Sequence, residues 1–245
     1  MLLGDRPSPP AVVAHRGASA DHLENTIEAF RAALAQGADW VELDVRRTAD
    51  AALAVHHDAA LPDGRALVGL PAAELPPHVP QLGTALDACR GMGVNIEIKN
   101  LPGDPDFDPD DHLAVEVVAH LEARREDPGG IPQPVIVSSF NPETIARVRL
   151  LDPSIPTGWL VLEVPRPEQT VQRAVEAGHS ALHPLAHVVD QTLVRTCHEA
   201  GLALNCWTVD EPARIRELVA IGVDGIVTNT PGVARRIVDE LSAGS

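Results

Sequence analysis

An acidic pair inside an apolar run is the first feature of this chain that could carry chemistry. Glu42 and Asp44 stand two positions apart and alternate with valine and leucine. Because side chains alternate between the two faces of a strand, both carboxylates would share one face and repel each other unless a cation compensates them. A hard divalent ion with oxygen ligands does so most simply. Taken alone, acids at this spacing are also typical of a solvated strand face.

A second pair with the same spacing, Glu97 and Lys99, lies in another apolar run. If both apolar runs are strands of one β-barrel, Glu97 can join the first two acids as a third carboxylate at the same end of the barrel. Three carboxylates indicate Ca²⁺ or Mg²⁺, and no pairing of cysteine or histidine argues for zinc. The alternative for Lys99 is an aliphatic stem lying along apolar surface with its ammonium group in water.

Two histidines follow short apolar runs in a similar way. His15 precedes Arg16 and a glycine, and His57 follows the apolar run after Asp44. A lone histidine is usually structural. Two imidazoles beside cations and a carboxylate-bound ion are the groups that cleave a phosphodiester: a base for the attacking oxygen, an acid for the leaving alkoxide, and positive charge for the phosphate. His56 would occupy the opposite strand face from His57, so we assign it no catalytic role.

The remaining histidines in helices and loops are interpreted as surface or packing groups; they are His22, His78, His112, His120, His179, His187 and His198. Phe140 and Trp207 are notable because aromatic residues make up only 2% of the chain. Each lies at the end of a predicted strand, so its ring could wall a pocket, although core packing explains each ring equally well. His183 and Asn229 end two further predicted strands, and we assign a role to neither.

Composition excludes several classes of function. The 245-residue chain has 19 basic against 35 acidic side chains and a formal charge of −16, which disfavours a nucleic acid or an anionic membrane as the main partner. Its three cysteines are widely spaced, so neither a disulfide framework nor a zinc site is indicated. Without a signal-like N-terminus or a run of about 18 apolar residues, we expect a cytoplasmic protein that does not insert into membranes.

Apolar runs alternate with helical periodicity along the whole chain. The pattern predicts eight strands, at 11–14, 40–45, 94–98, 135–139, 158–162, 181–185, 202–208 and 225–228. It predicts helices near 25–36, 84–91, 111–125, 142–150, 167–177, 190–200, 211–221 and 232–242. This is the count of an α/β fold of the TIM (β/α)8 barrel type, and we predict a single domain over residues 1–245.

Two additions to the barrel are predicted after its second strand. The run 52–56 is separated from that strand by only a few turn-forming residues, so no crossover helix fits and we predict an appended β-hairpin. A short loop insertion follows at 61–82, rich in proline, and a second loop is predicted at 101–110. Both loops are placed to form walls or a rim for a pocket, and plain connectors are an equal alternative.

The motifs, taken in order, resemble those of the glycerophosphodiester phosphodiesterase family over nearly the whole chain. They are His15-Arg16-Gly17, Glu24-Asn25-Thr26, Gly37-Ala38-Asp39, Glu42-x-Asp44, His57-Asp58, Asn95-x-Glu97-x-Lys99, Ser139-Phe140, Trp207-Thr208-Val209 and Gly222-Val223-Asp224-Gly225. The chain departs from the family in carrying Leu23 where proline is common, and in a short segment before Glu97 where some members carry a substrate cap.

The resemblance implies specific roles. They are proton acceptor for His15, proton donor for His57, ligands of one divalent cation for Glu42, Asp44 and Glu97, and substrate contacts for Arg16, Lys99, Phe140 and Trp207. The implied reaction is hydrolysis of a small glycerophosphodiester to sn-glycerol 3-phosphate and an alcohol. The alternatives are a lysophospholipase D and a catalytically inactive barrel that binds phosphodiesters. The alcohol, the choice between Ca²⁺ and Mg²⁺ and the oligomeric state are not indicated.

Overall fold

The structure is a computed structural model that describes residues 9–126 and 134–243. Its strands are β1 (Ala11–His15), β2 (Trp40–Arg47), β3 (Leu53–Val55), β4 (Gly93–Ile98), β5 (Val135–Ser139), β6 (Thr157–Val161), β7 (Ala181–Pro184), β8 (Ala203–Cys206) and β9 (Gly225–Thr228). Eight of them are parallel and form a closed ring, since β1 pairs with both β2 and β9. The short β3 lies outside the ring, antiparallel to β2. The predicted TIM barrel with an appended hairpin is thus confirmed.

Eight α-helices connect the barrel strands. They are α1 (Ile27–Ala35), α2 (Leu82–Ala88), α3 (His112–Glu126), α4 (Pro142–Leu151), α5 (Pro167–Glu176), α6 (Gln191–Glu199), α7 (Pro212–Ile221) and α8 (Pro231–Ala243). Side chains that accept from early backbone N–H groups begin three of them, namely Thr26, Asn141 and Asp190. Gly222 ends α7 in the left-handed conformation that glycine adopts without strain. Among the described helices, none combines the length and apolarity that a membrane crossing requires.

Alternation along β2 divides its side chains between two environments. Val41, Leu43 and Val45 are fully buried in the apolar layer between the barrel and its helices. Trp40, on the other face, packs inside the barrel in an apolar cluster with Ala11, Val13, Ile136, Ala181 and Val227. Glu42 and Asp44 follow Trp40 at intervals of two, so they share its face. The same strand therefore supplies both the packed floor of the barrel interior and its polar mouth.

Glycines make room for the large side chains inside the barrel. A Cβ atom on Gly93 would lie 2.2 Å from the Trp40 ring, and one on Gly158 would lie 2.5 Å from His183 Nε2. Both distances are far shorter than carbon and nitrogen atoms allow. Glycines next to these large rings thus allow close packing of the barrel interior.

The two predicted loops differ in structure. Residues 61–82 contain two short 3-10 helices, Leu67–Gly69 and Ala72–Glu74, before α2 begins at Leu82. This segment builds a small apolar cluster of its own, which includes Leu61, Leu67 and Val79. The 101–110 segment contains neither helix nor strand. The strand predicted at 202–208 is shorter in the structure, because β8 ends at Cys206. Trp207 lies just beyond it and pairs with Leu185 in an isolated β-bridge.

Some predictions fall outside these observations. The N-terminal residues 1–8 lie outside the described residues. The assignment of residues 1–245 to a single domain stays a prediction.

Candidate active site

Three carboxylates meet at the carboxyl ends of β2 and β4. Strand register places Asp44 beside Glu97, and the structure brings oxygen atoms of Glu42, Asp44 and Glu97 within 4.8 Å of one another. All three residues are buried. Glu42 Oε1 and Asp44 Oδ1 are buried without a hydrogen-bond partner among the described residues. Buried oxygens that accept no hydrogen bond are costly, so this all-oxygen group fits a hard divalent cation.

Repulsion within this group perturbs its acidities. Burial, together with Asp44 and Glu97, raises the pKa of Glu42 well above its usual range. Burial and the Asp44 charge raise the pKa of Glu97 to about 7. Burial also acts against ionised Asp44, but Lys99 and Arg16 outweigh it and lower the pKa of that carboxyl. Additional positive charge would therefore stabilise the ionised cluster.

Arg16 contacts the cluster through both its backbone and its side chain. Its backbone N–H donates to Glu42 Oε2 at 3.0 Å, and its Nε lies 3.1 Å from Asp44 Oδ2. This is possible because Arg16 adopts a left-handed conformation, with φ of 56°. The next residue, Gly17, is also left-handed, and a Cβ atom there would lie 2.6 Å from the Ala29 backbone. The turn after β1 thus requires glycine to aim Arg16 at the carboxylates.

The Glu24-Asn25-Thr26 triplet supports the same group with each of its members. Glu24 accepts from Arg16 NH1 through both oxygens at 3.0 Å. Asn25 Nδ2 donates to Asp44 Oδ2 at 2.8 Å. The Thr26 hydroxyl accepts from the backbone N–H of Ala29 and so caps α1. The triplet joins the start of the first helix to the acidic cluster.

Lys99 contacts Glu97 and Asp44 of the cluster and is also buried. Its Nζ donates to Glu97 Oε1 at 2.8 Å and lies 3.4 Å from Asp44 Oδ1. Burial opposes its charge, but these two carboxylates dominate and raise the pKa of Lys99. The ammonium group is 6.0 Å from the centre of the Phe140 ring, which meets Trp207 edge to face at 5.4 Å. The Phe140 ring thus lies near the ammonium group of Lys99, and Trp207 packs against Phe140 and against the apolar cluster inside the barrel.

A hydrogen bond orients His15 at the end of β1. Its Nδ1 lies 2.8 Å from Asn229 Oδ1, while Asn229 Nδ2 donates to Asp210 at 2.7 Å. Because the Asp210 carboxylate requires a donor, the amide oxygen must face His15, and Nδ1 then carries the ring proton. This leaves Nε2 free to accept one. Burial and the neighbouring Arg16 lower the pKa of His15, which favours the neutral base.

His57 lies just beyond the end of β3, and its side chain is about one-third exposed. Its Nδ1 lies 2.7 Å from Asp58 Oδ1. Burial lowers the pKa of His57, as do Lys99 and Arg16, while Asp44 and Asp58 act in the opposite direction. His57 lines a cavity of about 350 Å³ together with Leu61 and His78 of the 61–82 segment. That segment therefore contributes to the wall of a pocket beside His57.

A known protein family matches the part of the chain that contains this site. The profile of the glycerophosphoryl diester phosphodiesterase family matches residues 15–233, which include all of the site residues described above. This chain belongs to that family. Membership also confirms the expected class of enzyme, a phosphoric diester hydrolase.

Relatives of this phosphodiesterase match over nearly their full length. A glycerophosphodiester phosphodiesterase of Caldanaerobacter subterraneus is 30% identical over 233 residues, which cover 90% of this chain and 94% of that protein. A putative glycerophosphoryl diester phosphodiesterase of Silicibacter pomeroyi has a similar crystal structure, with 29% identity, a TM-score of 0.83, and coverage of 98% and 96% of the two chains. A phosphodiesterase of Oleispira antarctica, solved with the product sn-glycerol-3-phosphate, shows 26% identity, a TM-score of 0.82, and coverage of 95% and 98%.

Sequence reasoning about this phosphodiesterase missed two residues of the site. Asn229 was noted only as the end of a strand, yet it binds His15 from 214 positions away. Asn25 was noted only as part of the Glu24-Asn25-Thr26 motif, yet its amide binds Asp44. Their positions beside predicted strand and helix ends were the only available signal, because the contacts themselves depend on barrel closure.

A second acidic group in the phosphodiesterase does not resemble the first. Asp108, Asp110 and His112 also offer atoms within 4.8 Å of one another, but Asp110 and His112 are exposed. The Asp108 carboxylate already accepts from the backbone N–H groups of Asp110 and His112. These bonds are those of a turn that begins α3, so we assign no metal to this group.

Proposed function

We propose that this enzyme hydrolyses glycerophosphodiesters, such as glycerophosphocholine or glycerophosphoethanolamine, to sn-glycerol 3-phosphate and the free alcohol. The observation that carries the proposal is the buried carboxylate cluster, in which two oxygens accept no hydrogen bond from the described residues and which is flanked by two cations and two histidines. The product bound to the Oleispira antarctica relative supports the same glycerol phosphate half of the substrate.

The proposed cofactor is one Ca²⁺ or Mg²⁺ ion, held by Glu42, Asp44 and Glu97. Such an ion polarises a phosphate oxygen and neutralises charge that develops on it. The charge balance supports this choice. The three carboxylates exceed Arg16 and Lys99 by one negative charge, apart from Glu24 at the exposed rim. A divalent ion converts that excess into one positive charge, which matches a phosphodiester monoanion.

Arg16 and Lys99 are proposed to bind the phosphate from two sides. Each already touches Asp44, so the carboxylate holds both cations near one point. They contribute positive charge where the phosphoryl oxygens gain electron density. Phe140 lies beside Lys99, and Trp207 packs edge to face against Phe140; both rings are proposed to contact the rest of the substrate.

The two histidines divide the proton transfers. His15 Nε2 takes the proton of the attacking hydroxyl as its oxygen bonds to phosphorus. The bond from phosphorus to the leaving oxygen then breaks, and His57 gives that oxygen its proton. The attacking group is either water or a glycerol hydroxyl that first forms a cyclic phosphate, and the same pair of histidines serves both routes. A cytoplasmic location stays a prediction from the sequence.

The decisive experiment measures release of glycerol 3-phosphate from glycerophosphocholine by the purified protein. We expect turnover with added Ca²⁺ or Mg²⁺, loss of turnover with a chelator, and a fall of roughly a hundredfold or more in His57→Ala. Turnover of lysophosphatidylcholine alone would instead support a lysophospholipase D. A folded protein that binds the metal but cleaves neither substrate would support the inactive barrel.

A further inference from the structure

Arg46 is a buried cation that the chemistry above does not use. It follows Asp44 by two positions on β2 and is only 4% exposed. Its Nε donates to the backbone carbonyl of His57 at 2.7 Å. Its NH1 donates to both oxygens of Asp106, at 2.6 and 2.7 Å, and its NH2 donates to Asp104 at 3.1 Å.

These contacts join two segments at the barrel mouth. Asp104 and Asp106 belong to the 101–110 segment, which begins two residues after Lys99. Asp106 is 5% exposed, so the ion pair that it forms with Arg46 is shielded from water. Asn100 holds the same segment farther along, by bonding to the backbone of Asp108. Arg46 is the group that extends this support to His57.

The other contacts of residues 56–58 that bear on His57, among the described residues, come from the His56 backbone, from the His57 ring and from the His56 ring, whose Nδ1 lies 2.8 Å from the Asp58 carbonyl oxygen. β3 ends at Val55, and the backbone N–H of His56 donates to the carbonyl of Asp44 at 3.0 Å. The His57 imidazole is bonded to Asp58, whose own side chain is 76% exposed. The hydrogen bond that Arg46 donates to the His57 carbonyl therefore ties the His57 backbone to β2.

We propose that Arg46 is a positioning residue that holds His57 at the leaving oxygen by bonding its backbone carbonyl while anchored to Asp106 and Asp104. The inference rests on the proposed function, which assigns His57 as the acid. Arginine suits this role because its planar fork donates in several fixed directions at once, whereas the single ammonium group of lysine cannot reproduce that geometry.

Arg46→Lys tests the proposal, since it keeps a positive charge beside Asp106 but removes the Nε donor. The matched control is Arg47→Lys, because Arg47 is adjacent, approaches Asp108 at 3.6 Å, and forms no hydrogen bond to His57 among the described residues. Two substrates separate acid catalysis from general damage. Glycerophosphocholine releases a poor leaving group that needs a proton, whereas the p-nitrophenyl ester of glycerol 3-phosphate releases a stable anion.

We expect kcat of Arg46→Lys to fall roughly tenfold or more on glycerophosphocholine, to change little on the p-nitrophenyl ester, and to follow the same pattern as His57→Ala. Arg47→Lys should behave like the wild type on both esters. Equal losses on both esters, or no loss on either, would overturn the proposal. If Arg46→Lys does not fold, Asp106→Asn weakens the same ion pair. Its kcat on the two esters should then show the same pattern, and the same two outcomes would overturn the proposal.

Hydrogen–deuterium exchange separates this inference from the proposed function. If the wild type cleaves neither ester, the proposed function fails, and exchange still reports on Arg46. We expect faster exchange in segments 55–62 and 100–111 of Arg46→Lys and not of Arg47→Lys. Unchanged exchange in 55–62 would show that Arg46 does not hold the His57 backbone.

Discussion

The floor and the mouth of the barrel interior are built from the same strands but are opposite in character. At the floor, Trp40 packs against small and aliphatic side chains, and Gly93 leaves the space that its ring fills. At the mouth, only two and four positions farther along β2, Glu42 and Asp44 are buried, and each has one oxygen that accepts no hydrogen bond among the described residues. One strand thus carries a region that stabilises the fold and a region that strains it electrostatically.

The difference shows how a closed barrel separates stability from chemistry. Apolar burial at the floor lowers the free energy of the folded state in proportion to the area removed from water. Burial at the mouth has the reverse effect on carboxylates, since it raises the pKa of Glu42 and Glu97. The mouth can be held in this state because Arg16, Lys99 and Asn25 are bonded to it, and because the floor is already stable.

The largest expected effect comes from removing charge at the mouth. Glu42→Gln should lower kcat roughly a thousandfold, because a proposed cation ligand is lost along with several kcal/mol of charge stabilisation. In a chelator, the same variant should melt about 2–4 °C higher than the wild type. The sign follows from the raised pKa of Glu42. A carboxyl group whose pKa is raised in the folded state destabilises that state once the pH exceeds the ordinary pKa of glutamate, and glutamine carries no such charge.

Thermal melts with and without Ca²⁺ or Mg²⁺ check this prediction alongside the kinetics. The matched control is Glu122→Gln, which removes one exposed carboxylate from α3. A lower melting temperature of Glu42→Gln in chelator would contradict the account of a strained mouth.

Removing the Trp40 ring at the floor should lower stability strongly and change activity little. Trp40→Ala is expected to lower the free energy of unfolding by about 3–5 kcal/mol, because it leaves a cavity in a packed interior. The molecules that remain folded should keep most of their kcat. Denaturant unfolding and activity measured on the same sample test this. Leu150→Ala, at a position 73% exposed on α4, should change stability little. A large loss of kcat with unchanged stability would show that floor and mouth are not separable.

The smallest expected effect concerns the rim of the mouth. Asp58 raises the pKa of His57, so Asp58→Asn should lower that pKa and move the alkaline limb of the kcat profile to lower pH. We expect a shift of about half a pH unit, because solvent screens so exposed a carboxylate. Rates from acid to alkaline pH measure it, with Asp63→Asn, at an exposed aspartate paired with Arg65, as the control. A shift toward higher pH would contradict the assignment of His57 as the acid.

Much of this architecture was predictable because it follows local periodicity. Alternation along β2 predicted that Glu42 and Asp44 share a face, and the two-residue spacing of Glu97 and Lys99 repeated the signal. The count of strands and helices predicted the barrel. The ends of elements were less accurate, as β8 shows by stopping before Trp207, since hydrogen bonds to neighbouring strands decide where a strand ends.

Sequence alone determined which residue types would line the mouth, because strand alternation depends only on neighbours along the chain. Tertiary structure decided which of them meet. The register that sets Asp44 beside Glu97, the bond from Asn229 to His15, and the reach of Arg46 to Asp106 all join residues far apart in sequence. The physical reason is that barrel closure fixes the spacing and stagger of all eight strands together, and no local pattern encodes those distances.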